Sequence, residues 1–243
     1  MLFNREKNGK RPFGVGDFLW HSIDGIYSVY IADVTVSDVS FLRAGLANGV
    51  FGRNIKETTS DIAKENNAIF AINGDFYGFR DSGPVIRNGV LYRSNKRSGS
   101  NDVLAVYNDG SFVTMKEENV DSQNLLDSGV LQLFSFGPTL VDNGQISVSA
   151  NQEVEQSMNS NPRTAIGMIS PLHYVFVVSD GRTSESAGLS LAQFAAVTVS
   201  CVLRGIFEIA GTSSVYQVLL MWFGIAMSVV GAVAHGIFMI KNA

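Results

Sequence analysis

At 243 residues the chain is long enough to bury a sizeable core, in one large domain or two small ones. Its formal charge of -4 and pI near 5.4 exclude the basic footprint of a general nucleic-acid binder. A single cysteine, Cys201, excludes an intrachain disulfide and fits either the cytosol or export without disulfides.

Residues 1–11 are too polar for a secretory signal peptide, which needs an apolar stretch behind its basic residues. Residues 1–26 are therefore set apart as a polar N-terminal segment. Residues 27–36 read as a strand, with Val29, Ile31, Val34 and Val36 in a β-branched context. Thr58, followed three residues later by Asp61, has the form of a capping box and opens a short helix through Ile62, Ala63 and Asn66. Residues 68–72 are a compact apolar run, expected as a buried strand. Asn88-Gly89 between residues 85–87 and 90–92 is the strongest hairpin signal in the chain. Asn108-Asp109-Gly110 and Asp142-Asn143-Gly144 predict two more hairpins. Residues 121–160 are looser and more polar, and 147–161 read as a surface loop. Two further strands, 164–169 and 174–179, flank Ser170-Pro171-Leu172, and Ser190 with Gln193 in the reciprocal position caps a helix. The fold class implied is α+β, a strand-rich mixed sheet with hairpins and a few helices, plus a C-terminal apolar helix.

That last element comes from residues 209–240, which contain no Asp, Glu, Lys or Arg. Within them 215–240 exceed the roughly 20 apolar residues that cross a hydrocarbon layer. A soluble helix of this length normally shows a polar face. A transmembrane helix over 215–240 is therefore expected, the alternative being a fully buried core helix. Lys241 behind it suggests a cytoplasmic C-terminus.

Candidate chemistry sits where apolar runs stop. Asn73 and Asp75 read either as an amide for hydroxyl recognition and a carboxylate for acid/base work, or as turn caps bonded to backbone. Gly74 and Gly78 would let the chain turn sharply there. Arg163, behind Pro162, reads either as a paired donor to phosphate oxygens or as a surface arginine at a strand entrance. Asp180-Gly181-Arg182 ends another strand with a carboxylate able to protonate a leaving group or hold a hydroxyl. Nucleotide-binding glycine loops are absent, and His21, His173 and His235 lack metal-ligand spacing. No metal and no cofactor is expected.

Four stretches taken together carry a resemblance: Ala71-Ile72-Asn73-Gly74-Asp75-Phe76-Tyr77-Gly78, Gly83-Pro84-Val85-Ile86-Arg87-Asn88-Gly89, Asn161-Pro162-Arg163-Thr164-Ala165-Ile166-Gly167 and Val177-Val178-Ser179-Asp180-Gly181-Arg182. Over residues 27–194 the chain resembles the phosphodiester glycosidase family, whose bacterial relatives are often exopolysaccharide-associated. The resemblance implies a glycosidase-like domain at 27–194, followed by an apolar segment at 195–243. It implies hydrolysis of a sugar-1-phosphodiester or related glycosidic linkage at the cell envelope. The substrate would be a sugar phosphodiester or polysaccharide, with the C-terminal helix in the membrane. Asp75 and Asp180 would be the catalytic carboxylates. Asn73 would position the sugar, and Arg163 with Thr164 would meet the phosphate. Gly181, Arg182 and Arg87 would complete the substrate-binding positions. The family's later Asp-Gly-Gly-Gly-Ser-type motif is missing, Gly211-Thr212-Ser213-Ser214 being only a faint echo. The domain is accordingly expected to be incomplete. A noncatalytic carbohydrate-binding or envelope-associated protein, or an inactive truncated product, is the alternative.

Overall fold

The computed structural model describes residues 2–4, 15–23, 27–99, 101–135, 137–148, 159–184 and 186–199, with side chains from Ser28 onward. In chain order the strands are β1 (Leu2–Asn4), β2 (Val15–Ile23), β3 (Tyr27–Thr35), β4 (Leu42–Arg43), β5 (Ala68–Ala71), β6 (Val85–Arg87) and β7 (Val90–Arg93). There follow β8 (Asp102–Tyr107), β9 (Phe112–Lys116), β10 (Val130–Phe134), β11 (Val141–Asp142), β12 (Gln145–Ile146), β13 (Arg163–Ser170) and β14 (His173–Ser179). Among the described residues three α-helices accompany them: α1 (Thr59–Glu65), α2 (Ser122–Asp127) and α3, described over residues 191–199. This is the α+β, strand-rich mixture expected.

The described residues fall into two compact units, one built on Val34–Thr139 with β1 and Ser170–Tyr174, the other on Asp17–Asp33, Leu140–Ile169 and the chain from Val175. In the first unit β1 lies between β4 and β5, antiparallel to both. A second, five-stranded sheet has the order β7-β6-β10-β8-β9, every neighbour antiparallel. Ile86, Val103, Ala105, Val120, Leu125, Val130 and Leu133 form its buried core. Each fully buried Val, Leu or Ile among them contributes about 1.5–3 kcal/mol.

The second unit is organised by the sheet β13-β14-β3-β2. The segment set apart as N-terminal thus supplies β2, a full strand of nine residues beside β3. Val29, Val175, Val177, Leu189 and Phe194 form the core of this unit. The Ser190 box closes as expected over α3, with Ser190 N–H donating to Gln193 Oε1 (2.9 Å) and Gln193 N–H to Ser190 Oγ (3.3 Å).

All three expected hairpins form. At the β6–β7 turn Asn88 and Gly89 have φ of 51° and 75°, the left-handed pair that a two-residue turn requires. Asn88 is also bonded in place: its side chain accepts from Ala44 N–H (3.0 Å) and donates to Ala44 C=O (2.9 Å). The predicted cap of α1 is present too, Thr58 Oγ1 accepting from Asp61 N–H at 3.2 Å.

Three readings need correction. β5 is a strand but not a buried one, because it stands at a sheet edge with Ile69 41% exposed. The region 121–160 is not simply loose, since Asp121 caps α2 and β10 follows as the middle strand of the five. Gly74 takes no left-handed φ, and a Cβ there would meet Phe134 at an ordinary 3.7 Å. Gly78 is the tight position, where a Cβ would lie 3.1 Å from Gly52 C=O. No described helix is long and apolar enough to cross a membrane. The expected transmembrane helix at 215–240 lies outside the described residues, as does most of the predicted surface loop.

Candidate functional site

In the first unit, β5 delivers residues 72–76 to the end of its sheet, and a 3-10 turn at Tyr77–Phe79 folds the chain back. Asn73 and Gly74 are exposed there, whereas the Asp75 side chain is only 1% exposed. Asp75 Oδ1 pairs with Arg87 Nη2, while Oδ2 accepts from Ser135 N–H (3.0 Å) and from Arg80 Nη2 (3.3 Å). Both oxygens are therefore engaged. Arg87 is equally enclosed, at 3% exposure, and its Nη1 donates to the carbonyls of Ile86 (2.9 Å) and Leu133 (2.5 Å). Its guanidinium lies over the rings of Phe134 and Tyr77, at 4.3 and 5.5 Å.

Aromatic faces continue this cluster outward. Phe51 stacks between Tyr77 (5.1 Å) and Tyr92 (4.8 Å), and Tyr92 reaches solvent. Burial pushes the Tyr77 phenol up, Arg87 opposing and Asp75 adding to the shift. Arg93, from β7, spans the loop with bonds to the carbonyls of Gly83 (2.6 Å), Arg80 (2.8 Å) and Tyr77 (3.2 Å). Farther along, Glu117 takes Arg97 as a two-pronged partner, at 2.8 Å to Nε and 2.7 Å to Nη2.

In the second unit the end of β14 presents Asp180. Its Oδ1 accepts from Ser186 Oγ (2.6 Å) and Ser28 N–H (2.8 Å), and its own N–H donates to Ser28 C=O (3.0 Å). Burial pushes the Asp180 carboxyl up, but these donors outweigh it and the net shift is downward. Gly181 permits a close crossing, since a Cβ there would stand 2.7 Å from Pro162 N and 2.8 Å from Gly188 Cα. Arg182, at φ 61° and exposed, places Nε (2.9 Å) and Nη2 (2.7 Å) on Asn161 Oδ1.

Arg163 begins β13 and braces the same corner. Its Nε donates to Leu189 C=O (2.7 Å) and its Nη2 to Asn159 C=O (2.8 Å), while its N–H meets Ser179 Oγ (3.1 Å). Thr164 follows it, half-buried on the strand.

The structure thus joins Asp75 with Arg87 in one unit and sets Asp180, Gly181, Arg182, Arg163 and Thr164 in the other. Sequence reasoning missed Arg80, Arg93 and Ser135 around Asp75, and Ser28 and Ser186 around Asp180. The spacing Asp75 to Arg80 within a glycine-rich loop was the one available hint. Among the described residues no group of three His, Cys, Asp or Glu side chains is placed to hold a metal ion.

A family model described as phosphodiester glycosidase matches residues 66–202, more than half of the chain. The SPbeta prophage-derived uncharacterized protein YomE of Bacillus subtilis (strain 168) is 27% identical over 171 residues, which are 67% of this chain and 26% of that protein. The chain thus spans about a quarter of that relative's length. Among solved structures, the catalytic domain of zebrafish N-acetylglucosamine-1-phosphodiester alpha-N-acetylglucosaminidase, auto-inhibited by its pro-peptide, superposes with a TM-score of 0.55 at 19% identity. That likeness, which is one of fold, covers 83% of this chain and 71% of the zebrafish domain. A hypothetical protein from Synechocystis gives a TM-score of 0.45 at 15% identity, over 76% of this chain and 54% of its own.

Proposed function

The chain belongs to the phosphodiester glycosidase family, and from that premise we propose that it hydrolyses a sugar-1-phosphodiester or a related glycosidic linkage. In this reaction the anomeric C–O bond breaks and water supplies the new hydroxyl at the sugar carbon. The remaining proton of that water leaves with the phosphate monoester.

The observation that carries the reading is the character of the Asp75 cluster: two guanidiniums and the Ser135 N–H, with the carboxylate tied into them. An ordinary glycosidase needs a raised-pKa carboxylic acid to protonate a poor alkoxide leaving group. A phosphate monoester is already a stable anion on departure, so fixed positive charge can do what a proton otherwise does. Asp75 anchors Arg87 and Arg80, exposed Asn73 reads the sugar hydroxyls, and the Phe51–Tyr77–Tyr92 stack offers a flat apolar face to a ring. In the second unit, the lowered Asp180 suits a nucleophile or base rather than an acid. There Arg163, Thr164, Gly181 and Arg182 are the proposed phosphate and sugar contacts.

Release of sugar from a chromogenic sugar-1-phosphodiester, followed in Asp75→Asn and Asp180→Asn, tests this. With native circular dichroism retained, loss in the first variant alone puts hydrolysis in the first unit, and loss in the second alone puts it in the other. No turnover by the unaltered chain ends the proposal. The sealed state of Asp75 favours a second reading, binding of a sugar phosphodiester or polysaccharide without turnover. Saturable binding in the absence of hydrolysis would select it.

For location we propose the cell envelope, with the apolar residues 215–240 as a membrane anchor. Recovery of the full chain in the soluble fraction without detergent would exclude the anchor.

A further inference from the structure

Arg80, Arg87, Arg93 and Arg97 crowd one corner of the first unit, where the described residues supply two buried carboxylates, Asp75 and Glu117. Glu117 is taken by Arg97, through N–H (2.5 Å), Nε (2.8 Å) and Nη2 (2.7 Å). Asp75 is taken by Arg87, leaving Arg80 a single 3.3 Å contact. Arg93 bonds only to carbonyls, and Asp81, the acid that also acts on it, is 72% exposed and paired with Arg53. Arg80 Nε, Arg80 Nη1 and Arg93 Nη2 are buried with no hydrogen-bond partner among the described residues, and the Arg80 side chain is nine-tenths enclosed. Unpaired buried donors on cations are among the costliest groups a fold can carry.

Both guanidiniums border one glycine. A Cβ at Gly83, which has φ 95°, would stand 3.2 Å from Arg80 Nε, and Gly83 C=O accepts Arg93 Nε at 2.6 Å. A side chain at Gly83 would therefore press on the unpaired Nε. Burial, then repulsion from Arg97 and Arg93 against the pull of Asp75, brings the Arg80 guanidinium down to about 10, so it remains charged at neutral pH.

We propose that Arg80 and Arg93, gathered at Gly83, form a binding site for a phosphate-class oxyanion. The unpaired donors lie on two guanidiniums and on different edges of one of them. One donor from each guanidinium can be met by a different oxygen of a phosphate group, which carries full negative charge and more acceptor oxygens than a carboxylate. The site stands on these donors alone. Its assignment to the diester group of a substrate rests on the function proposed above.

Thermal unfolding of the full chain tests it, with inorganic phosphate and dimethyl phosphate as probes and sodium chloride at matched ionic strength as reference. A ligand that binds only the folded state raises Tm with its concentration. The expected result is a rise of several degrees with at least one phosphate probe and none with chloride. Arg80→Met and Arg93→Met, each checked for native circular dichroism, are expected to lose that rise. A gain from the diester alone assigns the site to a substrate group, and a gain from inorganic phosphate alone assigns it to the free ion. Equal Tm in all three salts, or an undiminished rise in both variants, overturns the site. Because no turnover is read, a failed hydrolysis assay and a failed oxyanion site remain separate results.

Discussion

Asp75 and Arg87 form an ion pair closed to solvent on both sides, with side-chain exposures of 1% and 3%. Such a pair adds little over an apolar replacement of both partners, but removing one strands the other. Asp75→Ala is expected to cost about 3–5 kcal/mol in urea unfolding. Adding Arg87→Met to it should recover much of the loss. If the double variant is no more stable than the single one, the pair is not the unit described here.

The β6–β7 turn offers a cleaner separation of backbone from side-chain effects. Asn88 sits at φ 51° while Ala44 N–H, Ala44 C=O and Gln132 Nε2 all bond to its side chain. Asn88→Ala loses those bonds and imposes a left-handed conformation on a Cβ-bearing residue, for about 2–4 kcal/mol in all. Asn88→Gly loses the same bonds without the backbone strain. It should be milder by roughly 1 kcal/mol. Equal destabilisation would mean the turn tolerates Ala freely.

Local chemistry in the sequence was enough to place the turns. Asn88-Gly89, Asn143-Gly144 and the Thr58 and Ser190 caps depend on neighbours within a few residues, and all formed where expected. β10 is hidden from a local reading although four of the five residues Val130-Leu131-Gln132-Leu133-Phe134 are apolar, because polar residues flank it on both sides. Gln132 is 2% exposed, and its buried amide is satisfied by Asn88, 44 residues away. The same distance problem hid the charge cluster. Nothing local distinguishes Arg80 and Arg93 from surface arginines, because their burial comes from the fold of the loop around Gly83.

Acid titration probes Asp180. Its carboxyl is lowered in the folded chain by the Ser186 hydroxyl and Ser28 N–H against the opposing effect of burial. On acidification the unfolded carboxyl protonates first, near its ordinary value of 3.8, and the folded one only below that. Asp180 therefore contributes stability above pH 3.8 that disappears as pH falls through its lower folded value. Asp180→Asn should flatten the pH dependence of Tm in this window. Ser186→Ala should do so in part. A wild-type slope retained by Asp180→Asn would remove Asp180 as its source.

Gly181 and Gly188 meet where β14 runs past residues 161–162. Gly181→Ala brings a methyl group to within 2.7 Å of Pro162 N and 2.8 Å of Gly188 Cα, so backbone must move. Overpacking of this kind costs about 1–3 kcal/mol. The displacement would pass directly to Asn161, which holds Arg182. Stability near wild type would show that this crossing is looser than its distances state.

Arg163 brings the structural and chemical readings into direct competition. Its Nε and Nη2 donate to the carbonyls of Leu189 and Asn159, so the guanidinium already braces the corner that carries Asp180. Arg163→Lys keeps the charge but cannot reproduce a planar fork. Losing two charge-assisted bonds should lower stability by about 1–3 kcal/mol in urea unfolding. If Arg163 also meets the phosphate of a sugar phosphodiester, KM should rise about tenfold, because a point charge replaces directional pairing. A stability loss with unchanged KM would identify a brace alone. A raised KM with unchanged stability would mean the carbonyl bonds contribute little and the phosphate contact dominates. Only the combination of both losses fits an arginine that shapes the corner and faces the substrate from it.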